Sequence, residues 1–269
     1  MKTYKKTTLL ALAVAAVLAF APCAFALNIT ISDGESNSSN YKGTGIGGED
    51  NEVEIDMSRT QSWDLEGFFL NGKKLTMVGG FNFKGTALTD GHDYRSGDIF
   101  ISTDPSYGTP IGNYGSQAIV KQTFGYEYAL DINWATLAFD VVKLGANSNT
   151  QTAYYSQNQG TSATSNPWKY AGETTGTATV VGNGTGTGGG TLTPSEIAAY
   201  GVTAWNSTHN GTVNNSTDNT HYAVTFDLSS VIADADLYGK DFYTHFTMGC
   251  GNDNMIGHGT APVPEPGTM

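Results

Sequence analysis

The chain has 269 residues, 34 of them glycine, with only 14% charged residues and a net charge of −12. That acid excess repels phosphate, so nucleic acid and anionic lipid are both disfavoured as partners. With two cysteines in all, one of them in the leader, a disulfide framework is excluded and the core must form by burial. The chain opens with Lys2, Lys5 and Lys6, an apolar run from Leu9 to Ala21, and Ala24-Phe25-Ala26. A basic start, a short apolar stretch and an A-x-A site make a secretory signal peptide. The run is too short for a bilayer, which needs roughly 20 residues. Cleavage is expected after Ala26, giving a secreted chain that starts at Leu27 and, having lost three lysines and no acids, carries −15.

From Leu27 onward the pattern is that of an all-β protein. Asn28 to Ser32 alternates apolar and polar residues, and Glu52 to Met57 does so again with an acidic face. Period-two alternation is what a half-buried strand requires. Leu65 to Leu70, Asn71-Gly72 and Lys74 to Phe83 read as a hairpin, with Asn-Gly as a type I′ turn. Gly97 to Ser102 is a further strand, and Tyr126 to Ile132 with Thr136 to Leu144 a further pair.

From Gly145 to Thr220 the chain is rich in Thr, Gly, Asn and Ser, most of all at 182–190. So little apolar side chain offsets the entropy of ordering poorly, and the stretch reads as a surface insertion with a few local elements. Thr177 to Val181 is a candidate strand. Thr193-Pro194-Ser195-Glu196 is a capping box with proline at the first helical position, opening a helix that ends at Gly201. Alternation returns at His221 to Leu228, and the last expected strand is Asp241 to Cys250. The expectation is an antiparallel β-sandwich, jelly-roll-like, over residues 27–258, with the Gly/Thr/Asn-rich insertion at about 145–220 and a linker at 259–269.

Two blocks near the C-terminus carry a resemblance. One is His245-Phe246-Thr247-Met248-Gly249-Cys250-Gly251-Asn252-Asp253, and the other is Val263-Pro264-Glu265-Pro266. Together they resemble the end of PEP-CTERM proteins, bacterial surface proteins sorted by exosortase. Gly97 to Ile101 and Tyr126 to Asp131 are also similar to segments of that group. The resemblance implies export, exosortase as a partner at Val263, Pro264, Glu265 and Pro266, and a place at the cell surface or in a matrix of exopolysaccharide. In that family Pro-Glu-Pro precedes a hydrophobic helix and an Arg/Lys cluster. Neither falls within these 269 residues, so the sorting signal is expected to be truncated and membrane contact to depend on a missing helix. A proline on each side of Glu265 also makes an extended strip with few donors, suited to being read by an enzyme.

The residues leave several chemistries to weigh. Cys250 reads as a nucleophile, a metal ligand or a partner between chains, or else as a small buried side chain closing a strand. His245, five residues away, falls on the opposite face of that strand. Asn252 and Asp253 suit a turn or a cation. Asp90, Asp93 and Asp98 crowd one loop–strand–loop region and are candidate Ca²⁺ ligands, against the plain reading of a solvated acidic loop. Glu66, Glu127 and Asp131 are candidate carboxylates for a glycoside hydrolase, which needs two such groups across a cleft. Tyr41, Tyr94, Tyr107, Tyr126 and Trp168 are candidates for stacking on sugar rings. No zinc spacing, nucleophile elbow or phosphate loop is present. The leading expectation is a non-enzymatic surface or matrix protein. A lectin-like module, with or without Ca²⁺, and a glycan-active enzyme are the alternatives.

Overall fold

A computed structural model describes residues 26–31, 58, 60–85, 87–89, 92–103, 125–153, 167–209, 212–215 and 217–264. In chain order these residues form β1 (Leu27–Asn28), β2 (Thr30–Ile31), β3 (Leu65–Asn71), β4 (Lys74–Gly79), β5 (Ala87–Thr89), β6 (His92–Tyr94), β7 (Ile99–Ser102), β8 (Tyr128–Asn133) and β9 (Ala138–Lys143). Then come β10 (Ser148–Gln151), β11 (Lys169–Glu173), β12 (Thr179–Thr185), β13 (Thr187–Thr191), α1 (Pro194–Tyr200), β14 (Asn206–His209), β15 (Thr212–Asn215), β16 (Tyr222–Asp227), α2 (Ser229–Asp234), β17 (Asp241–Thr247) and β18 (Asn254–Thr260). The expected signal peptide up to Phe25, the strand at Glu52 to Met57, and Glu265 and Pro266 lie outside the described residues.

The architecture is an antiparallel β-sandwich. One sheet runs β1-β3-β4-β16-β13, the other β12-β9-β8-β7-β17-β18-β2. The inner faces meet in a core that includes Phe68, Phe226, Phe242, Phe246, Leu130 and Val141. Each large side chain of this kind contributes roughly 1.5–3 kcal/mol on burial. The first described segment belongs to both sheets: β1 pairs with β3, and β2 pairs with β18. Between them, Ile29 is fully buried.

The hairpin at β3–β4 is present, one residue along from the expected turn. Asn71 pairs with Lys74, so the two loop residues are Gly72 and Lys73. Gly72 has φ 59°. Glycine at the first central position is the requirement of a type II′ turn, so the turn chemistry is glycine's and Asn71 stays in the strand. Helix α1 follows the sequence reading: the Thr193 hydroxyl accepts from Glu196 N, Glu196 reaches back to Thr193 N, and Gly201 closes it at φ 75°.

Two expectations are corrected. The Gly-rich stretch is an integral part of both sheets, because β12 is the edge strand on β9 and β13 the edge strand on β16. Backbone pairing to a formed neighbour supplies what its side chains lack, and Gly186 lets the chain cross against the Phe226 ring, which a Cβ would meet at 2.7 Å. The last strand is also missed by the sequence reading. Thr247 ends β17, and β18 returns to extend the sandwich to Ala261, whose N–H donates to Lys240 O at 2.9 Å. Gly257 and Gly259 allow this: a Cβ on Gly257 would lie 2.7 Å from Thr244 Cγ2 and 3.2 Å from Phe68, so only glycine lets β18 sit this close.

Candidate functional site

A cleft of about 850 Å³ opens beside the β8–β9 hairpin. Its construction starts from register. Asp131 on β8 pairs with Asp140 on β9, and Asp140 pairs with Asn183 on β12. Residues paired directly across a sheet share one face, so these three form a row of oxygen-bearing side chains across three strands. Trp134, in the turn that follows β8, and Trp168, just before β11, both line the cleft and both are half-buried. Lys84, Arg95 and Lys169 line it as well.

Both tryptophans are fixed in place by Gly97 and Asp98. Trp134 Nε1 donates to Gly97 O at 2.8 Å, while its ring packs against Phe83, Phe226 and Phe246. Asp98 N donates to Trp168 O at 2.6 Å. The Asp98 carboxylate accepts from Ile132 N at 3.0 Å on one oxygen and from Tyr170 N at 2.8 Å on the other. Gly97 must be glycine, because a Cβ there would meet Trp168 O at 1.9 Å. The Trp168 ring in turn lies over Gly249, where a Cβ would come within 3.3 Å.

Asp98 is therefore not a loop ligand for Ca²⁺. It is buried, and its two oxygens face backbone donors of β8 and β11. Asp90 lies outside the described residues, and Asp93 takes its place in the short strand β6. Among the described residues no three His, Cys, Asp or Glu side chains form a group able to hold a metal ion. Burial outweighs the two backbone donors and pushes the Asp98 carboxyl up to about 7. Asp131 is shifted upward too, by burial first and by the facing Asp140, with Lys169 opposing. A carboxyl whose folded value exceeds its unfolded value of 3.8 binds more protons when folded, so its contribution to stability falls as pH rises through that interval. Thermal denaturation is expected to show a stability component lost between about pH 4 and pH 7. In Asp98→Asn this slope flattens, and a slope unchanged by the substitution would reject the assignment.

The other singled-out residues occupy distinct places. Glu66 is fully buried against His221 at 2.8 Å, and Glu127 accepts from Thr103 N at 2.6 Å, outside the cleft lining. Of the three carboxylates weighed for glycan hydrolysis only Asp131 reaches the cleft, and the structure does not bring them together. Tyr126 is fully buried beneath the outer face of the seven-stranded sheet with Phe100 and His245, and Tyr94 is buried in the main core. Neither lines the cleft; Trp168 does. Tyr41 and Tyr107 lie outside the described residues. The sequence reading missed Trp134, Asp140 and Asn183, which only the strand register gathers.

The C-terminal block is structural in its contacts. His245 points to the Phe100–Tyr126 side, whereas Met248 and Cys250 enter the main core. Thr247 Oγ1 donates to Asp253 O at 2.6 Å, and Gly251 turns the chain at φ 65°. Asn252 and Asp253 act beyond their own turn: Asn252 exchanges two hydrogen bonds with the Ser58 backbone, and Asp253 accepts from Leu65 N. Burial pushes the Cys250 thiol up to about 12. The thiolate is the reacting form, so native protein at pH 8 is expected to resist iodoacetamide and to be alkylated once unfolded. Mass spectrometry before and after denaturant reads this directly; stoichiometric labelling of the native chain would contradict it. Comparison with protein-family models, curated proteins and solved structures finds no match.

Proposed function

We propose that this chain is the glycan-binding module of an exported cell-surface or extracellular-matrix protein. The observation that carries the proposal is the row Asp131–Asp140–Asn183 in a cleft flanked by Trp134 and Trp168. Carboxylate and amide oxygens in a row accept from sugar hydroxyls, and the amphipathic faces of tryptophan suit the apolar faces of pyranose rings. A few convergent polar groups with aromatic walls is the usual make-up of a small-molecule site. Binding is favoured over cleavage because Asp131 and Asp140 rise side by side from neighbouring strands, whereas hydrolysis asks for carboxyls on both sides of the bond.

Affinity electrophoresis against a panel of bacterial exopolysaccharides tests this. Trp168→Ala is expected to weaken retardation about tenfold, the size of a lost aromatic anchor, with the circular dichroism spectrum of the folded domain kept. No retardation by any polysaccharide would end the glycan reading.

Export and sorting belong to the same proposal. The chain leaves the sandwich after Ala261, and Val263 is 66% exposed with Pro264 also exposed. The exposed Val263 and Pro264 just past the last strand suit recognition by exosortase at Val263 to Pro266. In a host with that enzyme, the paired change Pro264→Ala and Glu265→Gln is expected to leave the protein unprocessed. Unchanged processing would remove the sorting motif from the proposal.

A further inference from the structure

The cleft holds charge as well as hydroxyl acceptors, and the balance of that charge differs from the rest of the molecule. The chain has 13 Lys and Arg and 25 Asp and Glu. Three of those cations, Lys84, Arg95 and Lys169, line this cleft, against two acids, Asp131 and Asp140. Cations are thus concentrated here, and the cleft lining carries a positive excess inside a strongly negative protein.

The positions of the cations suit a rigid anionic ligand. Lys169 follows Trp168 directly and precedes Tyr170, whose N–H is held by Asp98, so its backbone is fixed on both sides. The aliphatic stem of Lys84 lies across Gly189, where a Cβ would meet its Cδ at 2.1 Å. A stem seated on backbone leaves the ammonium less entropy to lose on binding. Arg95 adds a planar fork that matches a carboxylate in geometry.

We infer that the cleft selects an acidic glycan, one bearing uronic acid carboxylates, with Lys84, Arg95 and Lys169 pairing the carboxylates while Asp131, Asp140 and Asn183 take ring hydroxyls. The inference rests on the glycan-binding reading above and adds the ligand's charge class. The acidic surface elsewhere sharpens it. A net charge of −12 repels a polyanion everywhere except where cations gather, so binding of a polyuronate reports a local site rather than general attraction.

The experiment is isothermal titration of the folded protein with an oligogalacturonate and with a neutral β-glucan oligomer of the same length. Each is run at low and at physiological salt, on the parent and on Lys84→Gln with Lys169→Gln. Lys84 is exposed and Lys169 half-buried, and circular dichroism checks that the variant stays folded. The expected result is that the uronate binds at least tenfold more tightly than the neutral oligomer. The double variant should lose at least tenfold for the uronate and little for the neutral sugar, and added salt should weaken only the uronate. Equal affinity for both oligomers overturns the charge inference and leaves the glycan reading standing. Uronate binding that survives in the double variant overturns it as well, because the anion then sits elsewhere. Binding of neither oligomer overturns the inference, and with no polysaccharide retarded by electrophoresis the glycan reading falls with it.

Discussion

Glu66→Ala is expected to lower the melting temperature of the domain by about 10 °C. Glu66 sits on β3 and His221 immediately precedes β16, and both side chains are fully buried with Oε1 2.8 Å from Nε2. The ring is held on its other sides as well. His221 Nδ1 lies 3.0 Å from Asn219 O, and Nε2 lies 3.2 Å from Thr203 O. Gln61 completes the cluster, donating to Thr220 O at 3.2 Å and accepting from Trp205 N at 2.6 Å. Three stretches of chain far apart in sequence are thereby sewn to the five-stranded sheet, among them the return from the β14–β15 hairpin. Removing Glu66 empties the space of a fully buried side chain and takes away one of the ring's hydrogen-bond partners, at a cost of about 3–5 kcal/mol. At about 2–4 °C per kcal/mol for a domain of this size, the fall is measurable by calorimetry. Glu66→Gln keeps the volume and one acceptor, so it should lose less. Glu66→Leu combined with His221→Phe should recover part of the loss, since an apolar pair of similar volume leaves neither partner's polar atoms stranded. A melting temperature for Glu66→Ala close to that of the parent would mean that the cluster is not an anchor.

The physical reasons for what was legible in the sequence also explain what was not. Local chemistry announces itself: Thr193, Pro194, Glu196 and Gly201 specify α1 because each satisfies a backbone group at a helix end. Alternation announces β16, where Val224 and Phe226 are buried and their neighbours less so, and β17, although β17 is buried on both faces from Thr244 onward. The edge strands β12 and β13 give no such signal, because Gly182, Gly184, Gly188, Gly189 and Gly190 contribute no side-chain pattern. Their strand character comes from the neighbours they pair with. Strand β18 is hidden for a related reason: Gly257 and Gly259 read as loop residues, yet they are what lets the strand approach Phe68 and Leu70. The cleft was the least legible feature. Asp131, Asp140 and Asn183 meet through register, which depends on which strands pair. Asp98 reads as a solvated acid because Asp90 and Asp93 crowd the same stretch of sequence, and only the backbone donors of Ile132 and Tyr170 reveal its burial.

Asp253→Ala is the second substitution expected to cost several kcal/mol, and its effect should exceed that of its neighbour Asn252→Ala. Asp253 is 1% exposed. One carboxylate oxygen accepts from Leu65 N at 2.6 Å and the other from Asn254 N at 2.8 Å. Leu65 opens β3 in one sheet and Asn254 opens β18 in the other, so a single side chain joins the two layers at one end of the sandwich. Alanine leaves two N–H donors facing a dry interior, at about 1–3 kcal/mol each. Asp253→Asn retains one acceptor but turns an amide N–H₂ towards a backbone donor, so it should fall between parent and alanine. Asn252 exchanges its bonds with the backbone of exposed Ser58, at 2.9 and 2.8 Å. Water can replace those bonds, and its loss should cost about 1 kcal/mol. In urea the midpoint should drop for all three variants with an unchanged slope, since the surface exposed on unfolding is the same. Equal midpoints for Asp253→Ala and Asn252→Ala would show that the tie between sheets carries no special weight. The predicted order, in contrast, gives the Cys-Gly-Asn-Asp block a physical reason to stand together. Cys250 fills the core, Gly251 makes the turn, Asn252 holds the chain before β3, and Asp253 locks β3 to β18, all without chemistry at the thiol.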